Sequence, residues 1–271
     1  MIYKKIMLDE EAWLEAYISD PVGNYVRNAI LVIPGGGYWG VCSDREGEPI
    51  AQAFIPYGYN AFVLHYSVGK DGKGRNYPLQ LIQASLAIKH IRDCAEEYRI
   101  NPKKVFVTGF SAGGHLAGSL GILWHRQEIY DAIEMPYGYN RPDGMMLVYP
   151  VISGEPECGH IGSFKNLLGM EEPAGERLEN VSLEKWVDEK SAPLYLIHTS
   201  NDQVVNVMNA VVLARAYAKA GKLFEMHVYP DAPHGVALGN DITECGQPKW
   251  NNPCIGKWIE NAVAWAKQLE K

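Results

Sequence analysis

Val105-Phe-Val-Thr-Gly-Phe-Ser-Ala-Gly-Gly-His115 is the stretch on which the reading of this chain turns. A β-branched apolar run passes without a break into Gly-x-Ser-x-Gly and then into small residues, which reads as strand, sharp turn and helix with Ser111 at the apex. A serine held in a strained turn needs neighbours without a Cβ two positions to either side, and Gly109 and Gly113 meet that need. The helix expected over 112–124 aims the amides of its first turn back at the serine, where they stabilise developing negative charge. Gly-x-Ser-x-Gly alone is a frequent accident of composition; the strand before it and the helix after it give it meaning.

Upstream, residues 29–33 (Ala-Ile-Leu-Val-Ile) are apolar throughout, as a parallel strand covered on both faces requires. They end in Pro34-Gly-Gly-Gly-Tyr-Trp-Gly40. Three consecutive glycines cost backbone entropy and mark a place where the main chain bends oddly or approaches another group. The loop lacks the Lys-Ser/Thr of a phosphate-binding loop and the Gly-x-Gly-x-x-Gly of a dinucleotide fold. An oxyanion hole needs backbone amides free of side chains, so Gly36 and Gly37, together with Ala112, are expected to supply one; the plainer alternative is a tight turn.

The rest of the chain alternates strand and helix. Residues 2–8 and 12–18 read as an antiparallel pair at a sheet edge, and apolar runs at 61–65, 145–149 and 192–198 as further buried strands, with 223–229 alternating as an edge strand does. Helical spacing covers 48–57, 78–99 (stopped by Asn101-Pro102), 207–221 and 255–269, while 67–76 and 128–141 read as loops. Residues 152–190 differ from their surroundings, with five glycines, two prolines and only short apolar runs. They form an excursion with short helices at the carboxyl edge of the sheet, either a lid over the site or a surface insertion without a role in it. This pattern predicts one α/β domain over 1–271, a doubly wound, mostly parallel sheet with helices on both faces. In such sheets the site lies at the carboxyl ends of the strands, where Gly36, Ser111, Asp202 and His234 all fall.

A serine hydroxyl needs a base to take its proton and a carboxylate to hold that base in the right tautomer. Strand–turn–helix nucleophiles of this kind are followed in the chain by the acid and then by the histidine. Of the downstream histidines, His198 and His227 fall inside strands and His160 in the excursion, whereas His234 lies on a loop directly after a strand, so His234 is expected to be the base. Asp202, in a turn of small polar residues after a strand, is expected to be the acid ahead of Asp231 and Glu225. His115 and His65 read as satisfied structural histidines.

A net charge of −7 gives no electrostatic reason to bind nucleic acid or an anionic membrane. The first residues lack the apolar stretch and cleavage site of a secretory signal, and five cysteines in no metal-like spacing suit a reducing compartment, so a cytoplasmic location is expected. The chemistry requires no metal or cofactor, and homo-oligomerisation is left open.

With these residues in place the chain resembles the α/β-hydrolase superfamily, and within it the bacterial acetyl esterases acting on carbohydrates, the acetylxylan-esterase-like group. The resemblance runs from Ala29 to His234 and is carried by Pro-Gly-Gly-Gly-Tyr at 34–38, Gly-Phe-Ser-Ala-Gly-Gly-His at 109–115, the run at 192–205 ending Ser-Asn-Asp-Gln-Val-Val, and Pro-His-Gly at 233–235. It implies a catalytic Ser111, Asp202 and His234 acting on short acyl esters of sugars or oligosaccharides. Pro34 stands where hormone-sensitive-lipase-like enzymes carry histidine, which points away from lipid esters. Tyr38, Trp39 and Tyr149 are candidates to stack on sugar rings. Kynurenine formamidases, general short-chain carboxylesterases and a non-catalytic binding module are the alternatives.

Overall fold

The apolar strands of this chain are driven to the middle of an eight-stranded sheet, and the two most exposed strands lie at its edges. The computed structural model describes residues 1–69 and 76–269. Its strands are β1 (Ile2–Met7), β2 (Trp13–Ile18), β3 (Arg27–Ile33), β4 (Tyr59–His65), β5 (Ile100–Phe110), β6 (Gly144–Val148), β7 (Leu194–Thr199) and β8 (Phe224–Tyr229). The order across the sheet is β1-β2-β4-β3-β5-β6-β7-β8. β1 and β2 pair antiparallel, β2 meets β4 antiparallel, and every pairing from β4 to β8 is parallel. This is the doubly wound, mostly parallel sheet expected from the alternation of elements, and the α/β-hydrolase architecture that the resemblance implies.

The helices are α1 (Ser43–Glu46), α2 (Glu48–Phe54), α3 (Leu79–Asp93), α4 (Ser111–Ile122), α5 (Gln127–Ala132), α6 (Ile161–Leu168), α7 (Gly175–Asn180), α8 (Met208–Lys219) and α9 (Trp258–Gln268). Because side chains alternate along a strand, β3 divides its apolar residues between two cores. Ala29, Leu31 and Ile33 join α3, α4 and α8 on one face; Ile30 and Val32 join α2 and α9 on the other. Each core removes large apolar side chains from water on one side of the sheet, and this burial is the main force that keeps the layers together.

The chain reverses its direction of strand addition at β3: β4 is laid down on one side of it and β5 on the other. The loops leaving β3 and β5 therefore open beside each other, with Ile33 paired to Gly109 at the last rung. That crevice is where such sheets bind ligands.

Three expectations need correction. Helix α3 ends at Asp93, not at Arg99, and Asn101 and Pro102 lie inside β5. Two adjacent carboxylates, Glu96 and Glu97, oppose the negative end of the helix dipole, and the chain instead turns through Arg99 at φ 50°. The expected loop over 128–141 overlaps α5, too short for helical periodicity to register. Likewise α1 forms a separate turn ahead of α2. Of the expected loop over 67–76, residues 70–75 lie outside the described residues.

The elbow depends on close backbone approach. A Cβ at Gly113 would lie 2.3 Å from the carbonyl oxygens of both Ile33 and Pro34, and one at Gly109 would lie 2.3 Å from Gly113 O. Neither can relax by rotating a side chain. Gly113→Ala should lower stability in urea by about 2 kcal/mol or more. Gly162→Ala, where a Cβ meets nothing within 4 Å, should be neutral or mildly stabilising.

Candidate active site

Ser111 stands at the end of β5 with φ 53°, in the left-handed region that a residue with a Cβ rarely enters. It opens α4 and is largely buried, at 8% exposure. Its carbonyl accepts from Val151 N at 3.0 Å, tying the turn to the chain beyond β6.

His234 comes from the loop after β8, and Asp202 from the turn after β7. The structure brings all three together. His234 Nε2 lies 2.9 Å from Ser111 Oγ, and His234 Nδ1 lies 2.7 Å from Asp202 Oδ2. An ionised carboxylate only accepts, so Nδ1–H donates to Asp202, and the Nε2 lone pair is left to accept the Ser111 hydroxyl proton. The histidine loop is pinned to the acid turn by Thr199 Oγ1 donating to Ala232 O at 2.9 Å and by Asn201, whose side chain donates to Asp231 and accepts from Ala232 N.

Burial pushes the Asp202 carboxyl up, but the hydrogen bonds from His198 and His234, the charge of His234 and the Val205 amide together hold it well below the ordinary carboxylate range. Its Oδ1 accepts from Val204 N and Val205 N, each at 2.9 Å. Sequence reasoning set His198 aside as a strand histidine, yet its Nε2 donates to Val205 O at 2.9 Å and lies 3.4 Å from Asp202 Oδ2. The acid is thus flanked by two imidazoles. Of the weaker acids, Asp231 is held by Asn201 and Glu225 by His227 Nε2 at 2.8 Å.

The glycine loop has its carbonyls engaged. Cys42 N donates to Gly35 O, Trp39 N and Gly40 N donate to Gly36 O, all at 3.0 Å, and Asn166 Nδ2 of α6 donates to Gly37 O at 2.8 Å. The amides of Gly36 and Gly37 have no partner among the described residues. Gly36 has φ 128°, a value essentially confined to glycine, and Gly37 has φ 66°, in the left-handed region that favours it. A Cβ on Gly35 would lie 3.0 Å from Ser111 Cβ, so the loop lies directly against the serine. Asn166 also shows that the 152–190 excursion reaches the loop, and Ser163 Oγ, 2.9 Å from His160 Nδ1, faces the Gly37 position. His160 lines a cavity of about 540 Å³ with Ser153, Pro173, Leu178 and Ser182. Burial pulls its imidazole below the ordinary value, and His234 lowers it further.

Two aromatic assignments do not survive. Tyr38 and Tyr149 are each 1% exposed and offer no ring face to a sugar. Tyr38 OH donates to His115 Nδ1 at 2.8 Å, and His115 Nε2 donates to Val181 O at 2.7 Å, which makes His115 the satisfied histidine expected. Tyr149 packs edge-on against the His234 ring at 4.8 Å; its hydroxyl donates to Glu46 Oε1 at 2.9 Å and accepts from Ala237 N at 3.1 Å. Trp39, by contrast, is 54% exposed. His65 stacks on Trp13 at 4.5 Å and binds Glu15, a structural placement.

Glu46 escaped the sequence reading. Its carboxylate is buried, accepts from Gly35 N at 2.8 Å through Oε2, and lies 3.9 Å from the Arg45 guanidinium through Oε1. Burial pushes the carboxyl up, while Arg45, the Gly35 amide, the Tyr149 hydroxyl and His234 all pull it down. The available signal was its spacing: Glu46, Ile50 and Phe54 fall four residues apart, and all three are buried.

The BD-FAE family model matches residues 16–153. The chain is 38% identical over 216 residues to an endo-1,4-beta-xylanase B of Butyrivibrio fibrisolvens, covering 79% of this chain and 33% of that protein. It is 30% identical over 239 residues to an acetylxylan esterase of Xylanibacter ruminicola, covering 87% and 46% respectively. The chain therefore spans less than half the length of either curated relative. Among solved structures, an acetyl ester-xyloside bifunctional hydrolase from Caldicellulosiruptor lactoaceticus superposes with a TM-score of 0.84 at 32% identity, covering 98% of this chain and 96% of that one. Among the described residues no helix is long and apolar enough to cross a membrane.

Two buried groups set a pH dependence of stability. Burial draws the His115 imidazole down to about 4, against the bond to Val181 O. Between that value and the ordinary histidine value of about 6.5, the unfolded chain binds the extra proton, so stability falls as pH falls. Urea midpoints should drop more steeply over this window in wild type than in His115→Gln. Asp202 acts at lower pH. Its stabilisation is complete above the ordinary carboxylate value of about 4 and fades as pH falls toward its depressed native value, so the deficit of Asp202→Asn should shrink below about pH 4.

Proposed function

The chain belongs to the BD-FAE family, and we propose that it is a carboxylic ester hydrolase that removes O-acetyl groups from sugars, with acetylated xylan fragments as the favoured substrate. The observation that carries this reading is the unbroken chain of two hydrogen bonds from Ser111 through His234 to Asp202 beside a glycine loop with unpartnered amides. The relatives and the solved structure that act on xylan or its acetyl esters support the substrate class.

In this mechanism Ser111 Oγ attacks the acetyl carbonyl carbon while His234 Nε2 takes its proton. The carbonyl oxygen becomes an oxyanion held by the amides of Ala112 and of Gly36 or Gly37, and Asp202 stabilises the imidazolium. Collapse of the tetrahedral species breaks the C–O bond to the sugar, whose oxygen takes the proton from His234. Water, deprotonated by the same imidazole, then releases acetate and restores the serine. Trp39, exposed beside the glycine loop, offers a face to a sugar ring, and the cavity lined by His160 offers polar hydroxyls at the same end of the sheet.

A panel of acetylated xylo- and manno-oligosaccharides, p-nitrophenyl esters of increasing chain length and N-formylkynurenine tests the substrate class. Acetylated xylo-oligosaccharides should show the highest kcat/KM. Preference for long acyl chains, or for N-formylkynurenine, would overturn the reading. Ser111→Ala should stay folded and lose kcat by at least about 10⁴-fold, and His234→Ala by a similar factor.

A further inference from the structure

Glu46 joins two parts of the site. One carboxylate oxygen accepts from Gly35 N, at the root of the glycine loop; the other accepts from Tyr149 OH. Tyr149 in turn accepts from Ala237 N, three residues beyond His234, and lays the edge of its ring against the His234 imidazole. A Cβ on Gly35 would lie 2.8 Å from Glu46 Oε2 and 3.0 Å from Ser111 Cβ, so no side chain fits between the carboxylate, the loop and the serine. Both donors are held in fixed directions: an amide cannot rotate out of its peptide plane, and Tyr149 is fully buried.

From this geometry we infer that Glu46 is a positioning residue, which holds the oxyanion loop and the histidine loop in register around Ser111. The inference rests on the hydrolase reading given above. Burying a carboxylate with a single cation 3.9 Å away is costly, and a carbon-only side chain would fill the same space more cheaply. What such a side chain lacks is two acceptor oxygens. By engaging the Gly35 amide, Glu46 fixes the peptide from which the free amides of Gly36 and Gly37 follow. By engaging Tyr149, it fixes the wall against which His234 rests. The carboxylate touches neither substrate nor reacting atoms, so its loss is expected to appear in the rate of bond-making and not in substrate binding.

The test compares wild type, Glu46→Gln and Tyr149→Phe by kcat and KM on the best acetyl ester, and by the rate at which a fluorophosphonate probe labels Ser111. Glu46→Gln keeps the volume but puts an amide donor where one acceptor stood. Its kcat should fall about 10- to 100-fold, with KM within about twofold of wild type and probe labelling slowed in parallel. Tyr149→Phe cuts only the histidine arm and should show a smaller loss of the same kind. The double variant should be no slower than Glu46→Gln alone, because both changes break one linkage. If Glu46→Gln does not fold, Tyr149→Phe and its labelling rate decide the matter. A folded variant that labels and turns over at the wild-type rate, or that loses activity only through a raised KM, would overturn the inference. Wild-type labelling without hydrolysis of any acetyl ester would refute the functional reading instead, and the Glu46 role would still be read from the labelling rates.

Discussion

The positive φ of Ser111 is the constraint on which the rest of the site depends. A residue with a Cβ in that conformation stores strain of about 1–3 kcal/mol, which persists only if the surroundings leave no alternative. Here they leave none. Gly113 is pressed onto the carbonyls of Ile33 and Pro34, Gly109 onto Gly113, and the Ser111 carbonyl is held by Val151. The strand register that sets Ile33 against Gly109 is therefore also what sets the glycine loop against the serine. Apolar burial on both faces of the sheet holds that register, so the energy that keeps Ser111 at the apex of its turn comes from residues far from it.

Electrostatics complete what the backbone begins. Two carboxylates are buried near the imidazole of His234, and each is compensated differently. Asp202 collects two backbone amides and two imidazoles and stays ionised. Glu46 has one amide, one phenol and a more distant guanidinium that lies over the Trp250 ring at 4.3 Å. Low local polarity strengthens both sets of bonds and makes an unpaired partner expensive.

Much of this was legible in the residues. Parallel strands buried on both faces must be continuously apolar, so β3 to β7 announce themselves, and small residues around Ser111 mark the turn that only they permit. His234 and Asp202 could be placed because loops after strands are where a doubly wound sheet puts side chains over its site. The short helices α1 and α5 were not visible, since four to six residues do not complete a periodic stripe. Burial was harder still. Tyr38, Trp39 and Tyr149 are chemically similar, yet only Trp39 turns outward; the other two are claimed by His115 and Glu46. Nothing local to those residues distinguishes them, because the distinction is made by partners 77 and 103 positions away along the chain.

The hydrogen bond from Asn166 to the Gly37 carbonyl has a bearing on how such a scaffold diversifies. Ser111, His234 and Asp202 are rooted in sheet loops, whereas residues 152–190 contain no strand but bury Phe164, Leu167, Val181 and Leu183 in the core on one side of the sheet. A transplanted or lengthened segment would still have to provide a donor at that carbonyl, or the loop would be free to swivel. Retargeting by segment grafting thus has a fixed anchor point at the Gly37 carbonyl, besides the buried side chains and the Val181 carbonyl that the core and His115 require.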